Sequence, residues 1–199
     1  MDWIADSNDA EGSAFVVVDK RAAALYVFDS NARLLGASPV LLGSATGDDT
    51  VPATGANAGD EVPSIERTTP AGRFVGERGH DARGEDVVWV DYDAAVSMRR
   101  ALTAKSSERR LERLAAPGID DNRISHGCIN VPVAFYEGYV QPAFASHRAI
   151  IYVLPEVKSV AQVFGSYDVA ARRDTFLNRA TGTAGGDAVK RLILALRRD

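Results

Sequence analysis

Short runs of β-branched and aromatic residues set the limits on how this chain folds. Ala14-Phe-Val-Val-Val-Asp19 and Ala24-Leu-Tyr-Val-Phe-Asp29 are two of them, joined by a short connection around Lys20-Arg21. Such runs read as strands, and two so closely spaced read as a hairpin. Ser30-Asn31 makes the next turn, and Arg33 to Gly43 continues as one or two further strands. Asp86-Val-Val-Trp-Val-Asp-Tyr92 is the clearest buried strand, with Ala94 to Leu102 behind it as strand or transition. Ala149-Ile-Ile-Tyr-Val-Leu154 is another buried strand, closed by Pro155.

Between the strands the pattern breaks twice. Gly47 to Thr69 is crowded with Gly, Asp, Pro, Thr and Ala and has no periodicity, which predicts a mobile surface loop or a lid. Ser106-Ser107 stands where a helix cap belongs, before Glu108-Arg-Arg-Leu-Glu-Arg-Leu114, and Pro117-Gly118 ends that helix. The mixed charges of residues 105 to 113 read as its solvated face. Pro132 opens a second helix. Beyond Pro155 the chain turns helical: Tyr167 to Ala180 is rich in Ala and Arg, and Asp187 caps a last amphipathic helix.

At 199 residues the chain can bury one core, or one domain plus an appendage. Its net charge of −4 argues against a nucleic-acid binder. No apolar run is long enough to span a membrane. Met1-Asp-Trp-Ile-Ala-Asp6 lacks the basic and apolar regions of a signal peptide, so the protein is cytosolic or its targeting segment lies outside this chain. One cysteine permits no internal disulfide and rules out a zinc site of several thiolates.

That cysteine, Cys128, lies in Asn122-Arg-Ile-Ser-His-Gly-Cys-Ile-Asn-Val-Pro132. A lone cysteine is most often a small buried hydrophobe. Here a histidine and a glycine precede it, which supplies a nucleophile, an imidazole and an unobstructed backbone. Gly127 lets a substrate carbonyl approach closely. The amides of Gly127 and Cys128 then form an oxyanion hole, and His126, two residues from Cys128 in an extended segment, faces the same way. Asn122, Arg123 and Asn130 either bind a substrate carboxylate or hold the loop; Arg123 suits a carboxylate because its guanidinium is bidentate.

Ser125-His126-Gly127-Cys128-Ile129-Asn130 resembles the active-site signature of the L,D-transpeptidase (YkuD-like) family. Thr69-Pro-Ala-Gly-Arg-Phe74 is similar to an upstream element of that family. The resemblance runs over roughly residues 14 to 155. It implies a mainly β, sandwich-like fold with a few helices, preceded by a lead of residues 1 to 13 and followed by a helical C-terminal extension of residues 156 to 199. It implies Cys128 as nucleophile with His126 and Gly127 as its catalytic neighbours. Ser125, Arg123, Asn130 and Arg99 are the expected substrate-binding set. The implied partners are peptidoglycan stem peptides and carbapenem-type β-lactams, with no cofactor and no metal, at work in the periplasm or cell envelope.

In one respect the chain departs from the family. The family's second, upstream histidine falls here on Arg99, in Ser97-Met98-Arg99, and an arginine stays protonated. Its charge would still favour a thiolate nearby. His80 and His147 read as surface residues, which leaves His126 as the expected base. The resemblance therefore implies a peptidoglycan L,D-transpeptidase. Its alternatives are a degenerate peptidoglycan-binding module without turnover and an L,D-carboxypeptidase of the same fold.

Overall fold

The computed structural model describes residues 2–49, 67–102, 106–116, 118–145 and 148–182. A short helix, α1 (Asp2–Ser7), leads into a meander of strands β1 (Phe15–Asp19), β2 (Ala24–Phe28) and β3 (Leu34–Pro39), and then the two-residue β4 (Leu42–Gly43). Next come β5 (Gly72–His80), β6 (Asp86–Asp91) and β7 (Val96–Arg100), then helix α2 (Arg110–Ala115). Strands β8 (Arg123–Ser125) and β9 (Ile129–Val131) flank Cys128. A helical stretch follows: α3 (Val133–Phe135), a π-helical turn (Tyr136–Val140) and α4 (Gln141–Ala143). The chain returns through β10 (Arg148–Leu154) to α5 (Val160–Phe164) and α6 (Val169–Gly182).

Eight of the strands form one mixed sheet in the order β3-β2-β1-β10-β5-β6-β7-β9, and β4 pairs with β8 in a small second sheet. The protein is thus mainly β with few helices, as the strand-rich runs require. Strand β1 lies parallel to β10, with Phe15 opposite Ile150, and antiparallel to β2. Both faces of β1 are covered, which is why its sequence is continuously apolar rather than alternating. Val16 and Val18 join a core with Ile151, Val153, the helical residues Tyr136 and Val140, and Phe144 just behind α4. Phe15 and Val17 join a second core with Ile4, Phe28 and Tyr152, against which Phe164 packs.

Several expectations change in detail. Ser106–Glu108 form a 3-10 turn, and α2 starts behind Arg109 with no side-chain cap. Arg109 has φ 47°, a left-handed conformation that breaks the turn from the helix. The segment read as a surface loop is anchored at both described ends, because Asp48, Thr68 and Thr69 are buried. Residues 50–66, His147 and the last predicted helix from Asp187 lie outside the described residues. No helix among the described residues is long and apolar enough to cross a membrane.

Candidate active site

The site is built at one edge of the large sheet, where β9 lies parallel to β7 with Arg99 opposite Asn130. Strand β8 is held by β4, with Leu42 opposite Arg123 and Gly43 opposite Ser125. Leu41 and Asn130 exchange both backbone hydrogen bonds, at 2.9 and 2.8 Å. The segment from Ser125 to Ile129 is therefore pinned on both sides, and it bends at His126-Gly127 rather than running extended.

The bend is stabilised from within. The Ser125 hydroxyl donates to the Cys128 carbonyl at 2.6 Å and accepts from the Gly127 amide at 3.1 Å. This is the local side-chain turn that serine favours. Both functions of the hydroxyl go to the loop, so Ser125 shapes the site rather than offering a hydroxyl to a substrate. Thr69 completes the support: its hydroxyl donates to the Gly127 carbonyl and accepts from the Gly43 amide, both at 2.9 Å.

Gly127 is needed for a reason other than substrate approach. Its φ is +120°, and a Cβ there would lie 2.7 Å from the Thr68 carbonyl oxygen. It is the protein's own backbone that crowds this position. The expected oxyanion hole also changes, since the Gly127 amide is spent on Ser125. The Cys128 amide has no acceptor among the described residues. A trans peptide sets N–H opposite C=O, and the Gly127 carbonyl points inward at Thr69. The Cys128 N–H therefore points away from Thr69.

The Cys128 side chain is partly exposed. Its sulfur lies 3.6 Å from the hydroxyl of Ser97 and 3.7 Å from the carbonyl oxygen of Ala95. Ala95 itself has φ 53° in the tight turn that opens β7. Ser97 is fully buried. Arg99 donates to the Ser97 hydroxyl oxygen from Nε at 3.1 Å and from Nη2 at 2.9 Å. Its Nη1 donates at 3.1 Å to Asp81 in the β5–β6 turn. Burial alone would raise the Asp81 carboxyl; the amides of Arg83 and Glu85 and the charge of Arg99 outweigh it and hold the group below its usual value.

The remaining expected site residues divide. His126 stands exposed in the bend, so the extended geometry expected to align it with Cys128 does not hold between them. Asn130 is buried: its amide donates to the Cys128 carbonyl at 3.2 Å, and its oxygen accepts from Arg110 at 2.7 Å. Arg123 holds the loop, donating to the carboxylate of Glu156 and to the Lys20 carbonyl. Asn122 is buried and donates to the Val40 carbonyl at 3.0 Å. His80 is exposed at the end of β5, yet its neighbour Asp81 reaches Arg99.

Sequence reasoning missed Ser97, Thr69 and Arg110 as parts of the site. The signal for Ser97 was there, since residues 97 and 99 share one face of a strand. Arg110 belonged to a stretch read as solvated, whereas its guanidinium reaches Asn130. Beside Arg99 a cleft of about 110 Å³ is lined by Arg83, Arg99, Arg100 and Arg110, with Asp81, Glu85, Asp86 and Leu102. Among the described residues no three of His, Cys, Asp and Glu are grouped to hold a metal ion.

Fold and site together define a mainly β domain with one thiol at a sheet edge, hydrogen-bonded to a hydroxyl and backed by an arginine. No family model matches the sequence, and no curated protein matches it. Among solved structures the chain is similar to the L,D-transpeptidase LdtMt1 in complex with imipenem, at 18% identity and a TM-score of 0.42, over 71% of this chain and 59% of that one. It is similar to an L,D-transpeptidase from Mycobacterium smegmatis at 17% identity and a TM-score of 0.41, over 71% and 58% of the two chains. It is also similar to the helical cell shape determining protein Pgp2 from Campylobacter jejuni, at 12% identity and a TM-score of 0.47, over 85% and 58%. The match spans about three fifths of the length of these structures.

Proposed function

We propose that this chain is a cysteine-dependent acyltransferase of the bacterial cell envelope, an L,D-transpeptidase acting on peptidoglycan stem peptides. One observation carries the reading. The only thiol of the chain sits partly exposed, with a hydroxyl beside the sulfur and its own amide facing away from buried Thr69. The signature Ser125 to Asn130 and the element Thr69 to Phe74 support it. Thr69 and Gly127, one from each motif, are joined by a hydrogen bond.

In this reading the Cys128 sulfur attacks the carbonyl carbon of the bond between an L-configured centre and a terminal D-residue. A C–S bond forms and the C–N bond breaks. The departing amine takes up the proton that the thiol gave away. The amine of a neighbouring stem then attacks the thioester, an amide forms, and the thiol is regenerated. Water in place of that amine gives a carboxypeptidase. The cleft beside Arg99, lined by four arginines and three carboxylates, would receive a stem carboxylate at its guanidinium groups.

Arg99 favours a second reading. It stands where the family has a histidine and cannot take a proton, as expected of a module that binds peptidoglycan without turnover. Incubating the full chain with tetrapeptide stems and weighing the products separates the readings. Cross-linked dimers support transfer, tripeptides mean hydrolysis, and unchanged stems overturn the enzyme reading. A carbapenem adduct on the wild type that disappears in Cys128→Ala tests the nucleophile itself.

A further inference from the structure

We propose that Ser97 is the residue that holds the Cys128 sulfur as a thiolate, and that Arg99 sets the direction of the Ser97 proton. A hydrogen-bond donor thus occupies the place beside the sulfur where a base would otherwise act. The proposal rests on Cys128 being the nucleophile.

The argument is one of donors and acceptors. A hydroxyl has one proton to give and two lone pairs; a guanidinium has five N–H groups and no acceptor. Two N–H groups of Arg99 fall on the Ser97 oxygen, at 3.1 and 2.9 Å. Those contacts fill both lone pairs, and the hydroxyl proton cannot point back at Arg99. Ser97 is fully buried, which excludes bulk water as its partner. The sulfur of Cys128, at 3.6 Å, takes that proton's direction. A neutral thiol gives its own proton to the Ala95 carbonyl at 3.7 Å, a weak bond. A thiolate forfeits that bond, leaves the Ser97 donor charge-assisted and gains the positive charge behind it. Asp81 braces the guanidinium from the far side.

The charged side chains about this relay are Asp81, Arg83 and Glu85 in the β5–β6 turn, Asp86 on β6, Arg100 on β7 and Arg110 on α2. Carboxylates and guanidinium groups keep their charge through the neutral range. Histidines do not, so His80 and His126 are the side chains whose titration must be told apart from that of the sulfur.

The experiment is alkylation of the full chain by iodoacetamide across pH. A single cysteine makes every thiol adduct, localised by peptide mass, a report on Cys128. Ser97→Ala is expected to move the midpoint of the rate profile upward by about one unit or more while leaving the alkaline plateau in place. Ser97→Thr, which keeps the hydroxyl, restores the wild-type midpoint. Arg99→Gln moves it in the same direction by less, and His80→Ala leaves it unchanged. A Ser97→Ala profile that superimposes on wild type overturns the proposal. So does a shift produced by His126→Ala and not by Ser97→Ala. Should Ser97→Ala fail to fold, an unshifted Arg99→Gln overturns it equally. Alkylation needs neither stem peptide nor lactam, so the transpeptidase reading can fail without moving this result, and the reverse.

Discussion

The Thr69 hydroxyl donates to the Gly127 carbonyl oxygen at 2.9 Å, and this bond helps fix the orientation of the peptide that joins Gly127 to Cys128. Without it the Gly127–Cys128 peptide loses its inner anchor, and only the Ser125 bonds to the Gly127 amide and the Cys128 carbonyl remain to hold the bend. Thr69 sits fully buried and also satisfies the Gly43 amide. Thr69→Val keeps the shape and removes both bonds. It is expected to cost about 1–3 kcal/mol for each buried group left unpaired, read from denaturant unfolding. It should also slow lactam acylation of the molecules that remain folded, whereas Thr69→Ser should recover most of both.

Gly127→Ala is expected to fail for two reasons. The new methyl would lie 2.7 Å from the Thr68 carbonyl, and φ +120° is strained for any residue with a Cβ. Relief requires the bend to move, and with it the sulfur. Thermal unfolding should shift downward and the carbapenem adduct should disappear. A variant that acylates at the wild-type rate would show that the bend is not needed.

Beneath the loop, Lys20 and Asp48 form a buried ion pair at 2.8 Å. Asp48 also accepts the amides of Glu156, Val157 and Lys158, at 2.8, 2.9 and 2.5 Å. Burial alone would raise its carboxyl; the bond from Lys20 and these three amides outweigh it and hold the group well below the usual carboxylate range. The folded state thus binds this proton less readily than the unfolded chain. The resulting stability is fully present above the unfolded value of about 3.9 and is lost as pH falls through the lower, folded one. Asp48→Asn should therefore flatten the acid limb of the stability profile. Lys20→Met leaves a carboxylate buried without its partner and is expected to cost about 3–5 kcal/mol at neutral pH.

Arg99→His exchanges a fixed donor for a titratable group on the same strand face as Ser97. Acting through the Ser97 hydroxyl, which lies between position 99 and the sulfur, the imidazole should raise the lactam acylation rate near neutral pH by a factor of about a hundred, the range a general base contributes. Stopped-flow mixing followed by intact mass checks this, and a slower variant would show that an imidazole at position 99 is not aimed at the sulfur.

The strands were legible because β-branched runs report burial directly; Asp86 to Tyr92 became β6, ending one residue earlier at Asp91. The cysteine segment was legible because its motif is local. What escaped are relations between distant residues. Lys20 read as part of a plain turn, and only the fold brings Asp48 and Glu156 around it. Arg123 had the chemistry to bind a carboxylate, and the carboxylate it found is that of Glu156. Ser97 looked like an ordinary strand residue until β9 came alongside β7 and set the sulfur against it. The apolar runs of β1 and β10 announced burial on both faces, but nothing local said that these two strands pair with each other.

That pairing has a consequence for how the protein is made. In the large sheet β10 lies between β1 and β5, so the first meander and the block that carries the thiol share no hydrogen-bonded edge there without it. As the chain leaves the ribosome, the two blocks emerge one after the other, each with an exposed edge that invites pairing with other chains. The strand that closes both edges is the last of the ten strands among the described residues to be synthesised. Final assembly waits for it, and the newborn chain is open to aggregation until β10 slots in.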